Sequence, residues 1–417
     1  MTTTQPIDQG YRGLSQQAAG LYKALAGCPA HDLDAAAVAA LAGCTRAEAL
    51  KLAGSLVEAG LARRAPRPGG AGVRITLDAA GHIHAAAVTA EPPDTEALDR
   101  WIDHLIGCAA LVAGGVAPAR RPPFPDWQAP KVKEPPVADP PRAGVPWLRE
   151  QLPNYMALIR WAIEHGRFDL AYTTAQILWP VWRWLRPAET REALGLGLAA
   201  AAADDDAQAL DQMRMALAEQ LRMEPVDPRR AYELDRAAKA SADQRHDERA
   251  SAQAADALGR DALAAGSLPL ARGMFTTAAQ LSRDLDDLRG AGSALRGLAQ
   301  VTAARGHLHD AARQLVVAHT MLHESGDLFD TLLVWAELGV VRARLGELGQ
   351  GLGALEHARV GLELVGADHG QVLVLRMQAA TLSAAGRSAA AATARARAAR
   401  LLDLLDPAAA ARLREAE

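Results

Sequence analysis

In the C-terminal part of the chain, small and apolar positions keep one phase over a long distance. Gly266, Gly306, Gly346 and Gly386 recur at one fixed interval. Five positions after each comes Ala271, Ala311, Gly351 or Ala391, and twelve after comes Ala278, Ala318, Ala358 or Ala398. Seven and eight positions before them lie Gly259/Leu258, Ala299/Leu298, Gly339/Leu338 and Ala379/Gln378. Positions seven apart share a helix face, so the small residues mark lines where two helices touch closely. Each unit therefore reads as a helical hairpin, and a fixed period of this length means stacked repeats. Phe275, Leu315 and Leu355 fill the large apolar position of the second helix, and Arg395 breaks it in the last unit, as a polar capping repeat would.

The N-terminal part follows another pattern. Apolar residues at helical spacing in Leu14–Leu25, Leu33–Leu41 and Thr45–Leu61 predict three short helices. Thr45 and Glu48 form a capping box at the start of the third. The segment Leu61–Leu77 holds Pro66, Pro68 and three glycines between short strand-like runs, which predicts a β-hairpin. Three helices and a hairpin make a winged helix-turn-helix. A further helix over Thr95–Ala113 carries Trp101, Leu105 and Leu111. Ten prolines between Val116 and Pro146 predict an extended linker, since neither helix nor strand propagates through them. From Trp147 onward the pattern is helical, with a first hairpin turn at Gly166–Ala171, a kink or stop at Pro180, and core positions for Trp161, Trp179, Trp182 and Trp184. Helices follow at Glu189–Ala203, Ala207–Met223 and Arg229–Ala264, the last interrupted near His246. The expected organisation is a winged-helix domain with a trailing helix over 1–115, a proline-rich linker over 116–146, and helical repeats over 147–417.

The repeats resemble the tetratricopeptide repeat (TPR), most visibly at Trp335, Leu338 and Gly339, although the period is longer than usual and calls for extended helices or loops. The N-terminal residues Tyr11-Arg-Gly-Leu-Ser15, Leu21-Tyr-Lys-Ala-Leu-Ala26, Cys28-Pro29, Asp34, Leu41-Ala-Gly43 and Leu56-Val-Glu-Ala-Gly-Leu61 resemble the winged-helix module of bacterial STAND regulators, NTPases with an NB-ARC core. Trp147-Leu-Arg-Glu150, Asn154–Ile159, Glu164–Ala171 and Leu178–Trp182 are similar to the segment that opens the TPR array in the antibiotic-regulatory branch. The resemblance implies the interaction half of a signalling protein without its motor, because no Gly-x-x-x-x-Gly-Lys-Ser/Thr phosphate cradle occurs. It also implies a nucleotide-sensing His-Asp pair after the wing. Here that place reads Leu77-Asp78, with the histidine replaced.

Composition narrows the chemistry. The chain has 417 residues, 50% of them hydrophobic but only 4% aromatic, and alanine supplies much of the apolar content. A mostly α protein follows. A net charge of −4 excludes a chain-wide basic surface for nucleic acid. Three unpaired-looking cysteines, Cys28, Cys44 and Cys108, read as free thiols of a reducing compartment, hence cytoplasmic, and no export or membrane segment is predicted. The pairs His82/His84 and His307/His309 lack acidic or cysteine partners at ligand spacing and read as solvent-facing histidines at helix ends rather than a metal site. The run Asp204–Asp206 favours a helix N-terminus. No catalytic constellation, cofactor site or metal site is predicted.

Two surfaces remain. The inner groove of first helices offers Gln253, Asp256, Arg260, Ser293, Arg296, Gln300 and Arg376, whose arginines would clamp carboxylates of a partner protein or peptide. The wing and third helix offer Arg46, Lys51, Arg63, Arg64, Arg67 and Arg74 to DNA phosphates. The expected function is a non-enzymatic regulatory or scaffold protein. The alternatives are a DNA-binding transcriptional regulator that uses the array as an effector or homodimerisation platform, and an accessory subunit of an NB-ARC or biosynthetic protein. Because the phosphate-cradling loop is missing, calorimetric titration of the purified chain with ATP or GTP should detect no micromolar binding.

Overall fold

A computed structural model describes residues 4–66, 72–88, 95–118, 127–135, 137, 140–185, 189–223 and 227–405. They divide into two compact units, one of residues 1–112 with 126–167, the other of 113–125 with 168–417.

The first unit runs α1 (Thr4–Arg12), α2 (Gln16–Gly27), β1 (Asp32–Asp34), α3 (Ala35–Ala42), α4 (Arg46–Glu58), β2 (Arg63–Pro66), β3 (Val73–Thr76), α5 (Ala79–Val88), α6 (Thr95–Val116) and α7 (Pro140–Glu164). The three strands form an antiparallel sheet in the order β1-β3-β2, with Ile75 opposite both Leu33 and Arg64. The three expected helices and hairpin form as α2, α3, α4 and β2–β3, with the short strand β1 added between α2 and α3. Its core is Leu21, Leu33, Leu41, Leu56 and Ile75. The Thr45/Glu48 capping box forms as read, and Gly43 ends α3 in the left-handed conformation at φ 68°. Strand β1 and helices α1 and α5 are additions to the elements expected from the sequence.

Helix α7 differs from expectation in extent and in company. It starts at Pro140, inside the proline-rich stretch, because proline suits the first turn of a helix, whose N–H groups lack partners anyway. It packs in the first unit. Trp147 Nε1 donates to Asp34 Oδ2 at 2.9 Å, Asn154 Nδ2 to the Asp32 carbonyl at 2.8 Å, and Tyr155 Oη to the Leu105 carbonyl at 2.8 Å. Asp34 also accepts from the N–H groups of Ala36 and Ala37, so one buried carboxylate caps α3 and anchors α7.

The second unit is an array of helices: α8 (Phe168–Leu185), α9 (Thr190–Ala203), α10 (Ala207–Met223), α11 (Pro228–Gln244), α12 (Glu248–Ala264), α13 (Leu268–Asp284), α14 (Leu288–Ala304), α15 (Leu308–Glu324), α16 (Leu328–Arg344), α17 (Leu348–Leu364), α18 (Asp368–Ala384) and α19 (Ser388–Leu405). The long period lies in the helices, not the loops. From α11 to α18 every helix has 17 residues and is joined to the next by the same short turn. The four regularly spaced glycines close the first helix of each hairpin, with φ between 72° and 92°. Between them, Asp286 (φ 51°), Gly326 and Gly366 close the second helices in the same left-handed conformation. The structural repeat is thus one helix and one turn, half of the glycine interval, and it is hidden in the sequence wherever Asp286 or His246 stands in for glycine. Pro180 does not end α8, which continues to Leu185 and buries Trp182 and Trp184.

The small positions behave as read. Ala271, Ala311, Ala318, Ala358 and Ala391 are fully buried. A methyl group on Gly259 would come within 2.6 Å of the Phe275 ring, and one on Gly297 would overlap that ring from the other side. Phe275 is thus wedged between α12 and α14, and Gly339 and Gly351 meet backbone to backbone in the next unit. Arg395 is exposed on the last helix. Replacing Ala311 with Leu should force α14 and α15 apart and cost about 1–3 kcal/mol by overpacking, measured as a shift of the urea midpoint at unchanged slope.

Candidate partner-binding surface

The polar positions of the first helices converge, but largely on one another. On α12 and α14, Ser293 Oγ donates to Asp256 Oδ2 at 3.0 Å, and Arg260 Nη1 lies 2.9 Å from the same oxygen. On α14 and α16, Arg296 donates twice to Glu337 Oε1, at 2.9 and 2.6 Å, and once to Asp330 at 3.2 Å, while Gln300 Nε2 donates to that Glu337 oxygen at 2.9 Å. Arg296 is therefore neutralised within the array and is not available as a peptide clamp, contrary to the expectation from sequence. The strip crosses consecutive first helices because residues about one glycine interval apart, such as Asp256 and Ser293 or Arg296 and Glu337, fall side by side. Gln253 and Arg376 are exposed, and Arg260 remains accessible over 39% of its side chain.

Asp330 is the hub of a larger cluster that sequence reasoning missed. Arg289 on α14 donates to Asp327 at 2.6 Å and to Asp330 at 3.2 Å. Arg183, at the end of α8, donates to Glu219 at 2.8 Å, lies 3.5 Å from Asp330, and stands over the Phe329 ring. Trp184 stacks on that ring with centroids 5.8 Å apart. Burial pulls the pKa of each of these three guanidiniums down, but the surrounding carboxylates overcome it. Arg183 is held above its ordinary value by Glu219, Asp330 and Asp327, Arg289 by Asp327 and Asp330, and Arg296 by Glu337 and Asp330. All three remain charged. The end of α8 thereby covers part of the first-helix face at α16. No local pattern in α8 announces this, since Asp330 stands four hairpins further along the chain.

The wing residues are likewise partly engaged. Arg74, on the central strand β3, is only 5% exposed, and it pairs with Asp32 at 3.3 Å and Glu150 at 3.5 Å. It faces α7, so it is not a phosphate contact, contrary to the sequence reading. Arg46 lies 3.5 Å from Glu134 and donates to the Pro135 carbonyl at 3.0 Å. Arg63 reaches Asp78 at 3.2 Å from an exposed position, and Arg64 and Lys51 are exposed. Arg67 lies outside the described residues. Asp78, the residue kept from the resembled His-Asp pair, caps α5 by accepting from Gly81 N at 2.8 Å. Lys51 borders a cleft of about 390 Å³ between α2, α4 and Arg100.

The histidines divide. His307 and His309 are exposed around the start of α15, as expected. His84 is not: it is 5% exposed, 3.0 Å from Asp8 and 3.1 Å from the Tyr22 hydroxyl. Tyr22 donates to the Gly81 carbonyl at 2.8 Å, and burial, with help from Asp78 and Tyr11, pushes its pKa up to about 12. This chain of groups ties α1, α2 and α5 together. Cys28, Cys44 and Cys108 are free thiols. Burial pushes Cys28 up to about 12 and raises Cys108, which makes both poor nucleophiles. Among the described residues, no cluster of three or more metal-ligating side chains occurs, and no helix is long and apolar enough to cross a membrane.

Comparison with solved structures identifies the fold. A Signal Transduction ATPase with Numerous Domains (STAND) protein with a tetratricopeptide-repeat sensor from Pyrococcus horikoshii matches 97% of this chain with a TM-score of 0.58 at 12% identity. The match covers 53% of that protein, so this chain spans about half of its length. The array is a TPR-like α-solenoid. A Rap protein complexed with Competence and Sporulation Factor matches 64% of this chain and 81% of its own, at 16% identity and a TM-score of 0.48. BtubC from P. vanneervenii matches 51% of this chain and 90% of its own, at 15% identity and a TM-score of 0.39. No family model and no curated protein matches the chain.

Removing one member of a buried charge cluster strands the others. Asp330→Ala should cost about 3–5 kcal/mol in urea unfolding, because Arg183, Arg289 and Arg296 all meet that one carboxylate and each would lose a buried partner. The exposed Arg376→Ala should stay within about 0.5 kcal/mol of the parent.

Proposed function

We propose that this chain is a non-enzymatic regulatory or scaffold protein that recognises a partner protein or peptide through its TPR-like array. The observation that carries this reading is the polar strip along the first helices, which ends in accessible Gln253, Arg260 and Arg376. Stacked hairpins present such a strip over a long surface, and partly exposed guanidiniums can trade an internal carboxylate for one from a partner. The arrangement of the first unit supports its reading as a winged helix of the kind found in STAND regulators. The free thiols support a reducing, cytoplasmic setting. An accessory subunit acting on an NB-ARC or biosynthetic protein is one form of the same function.

The DNA-binding alternative rests on Arg63 and Arg64, which are exposed on β2. With Arg74 buried and Arg46 engaged, few cations are left for phosphates, and the wing is better suited to packing against protein. The two readings separate in one pair of variants. Arg260→Glu with Arg376→Glu should remove a partner recovered by pull-down from the native host, while Arg63→Ala with Arg64→Ala should leave it bound. A sequence-dependent gel shift at physiological salt, lost only in the second variant, would instead make the chain a DNA-binding regulator.

A further inference from the structure

Unpaired cations also gather away from the first-helix strip. Between α13, α14 and α15 is a cleft of about 610 Å³, bordered by Arg272, Arg305, His307 and Arg313 over a floor that includes Leu298 and Val301. Arg313 leans on Asp310, the one acidic residue that lines it. Arg272 and Arg305 are exposed, and neither makes an ion pair among the described residues. This differs from the habit of the first helices, where Arg249, Arg260, Arg289 and Arg296 each meet a carboxylate. The neighbouring repeats serve as an internal control. At the positions of Arg272, Arg305, His307 and Arg313, the unit before has Tyr232, Ala265, Ser267 and Gly273, and the unit after has Ala312, Leu345, Glu347 and Gly353. Packing of the hairpins thus requires no cation at any of the four. The cleft also faces the start of α15, whose N-cap His307 makes no side-chain cap, so the positive end of the helix adds to the field. All this occurs on a chain of net charge −4, which by itself repels anions.

We propose that this cleft is the docking site for an acidic peptide segment of the partner, with Arg272 and Arg305 clamping two of its carboxylates. The proposal rests on the reading of the array as a partner-binding surface and adds to the first-helix strip a second carboxylate clamp in the α13–α15 cleft. Guanidinium forks match carboxylates in bidentate geometry. The volume lies in the range of sites that hold many-atom ligands, more than a single phosphate fills. The apolar floor at Leu298 and Val301 suits the side-chain stems of an extended peptide.

The test uses the full chain and fluorescein-labelled hexaglutamate, read by fluorescence anisotropy, with inorganic phosphate as competitor. Binding should weaken steeply between low and physiological salt. Arg272→Ala with Arg305→Ala should reduce affinity by at least tenfold, while Arg387→Ala with Arg400→Ala, exposed cations on and just before the last helix, should leave it within about twofold. Circular dichroism melting of both variants should match the parent, since all four side chains are accessible. Absence of binding, equal loss in both variants, or full displacement by phosphate at a concentration equal to that of the peptide overturns the proposal. If the cleft variant still recovers the partner in a pull-down and Arg260→Glu with Arg376→Glu does not, the cleft assignment fails while the partner-binding function stands.

Discussion

The array depends on how closely its helices approach. Where α12 and α14 enclose Phe275, glycine is required at 259 and 297 because a methyl group would occupy the space of the ring. Where Gly339 faces Gly351, the backbones themselves meet. Such contacts fix the phase of one helix against the next, and helices of one length joined by one kind of turn then carry that phase along the stack. From α11 to α19 a residue in the left-handed conformation closes each turn, as Asp205 does between α9 and α10. Glycine adopts it without strain, whereas Asp205, His246 and Asp286 adopt it at some cost, and each sits where an adjoining aspartate caps the following helix.

Once the stack is set, its polar residues have little freedom. Side chains one glycine interval apart fall side by side on consecutive first helices, so a charge on one is answered by a charge on the next. The cluster around Asp330 is the extreme case, because three guanidiniums and the carboxylates of Asp327, Asp330, Glu337 and Glu219 share a region nearly closed to water. Buried ion pairs add little net stability compared with apolar packing, but they tolerate few alternative arrangements. Here the cluster joins α8 to α14 and α16, with Trp184 on Phe329 beside it. The same face that a partner would use is therefore already partly committed to the chain itself, and accessible charge is displaced to its margins and to the α13–α15 cleft.

In the first unit the corresponding organiser is Asp34. It ends β1, caps α3, and accepts from Trp147 and Gln151 of α7. Arg74 beside it answers Asp32 and Glu150. These contacts turn two residues that look like surface polar groups into interior ones, and they leave the wing with fewer free cations than its sequence suggests.

Features carried by neighbours in the chain were legible in the sequence. The glycines at 266, 306, 346 and 386, the small residues that follow them, the Thr45/Glu48 cap and the hairpin around Pro66 all act over short separations, where spacing maps directly onto geometry. Local signals also misled. The proline run reads as excluding helix through Pro146, yet α7 begins at Pro140, and Pro180 does not stop α8, because buried tryptophans beyond it outweigh one lost backbone bond. What only the tertiary structure decided is which charges are spent. Arg74, Arg296 and His84 read as available surface groups, and each meets partners that are distant in sequence: Glu150, Glu337 and Asp8. Periodicity reports which face of an element is apolar. It does not report which carboxylate the fold brings opposite a given guanidinium, and that pairing determines what remains free to bind.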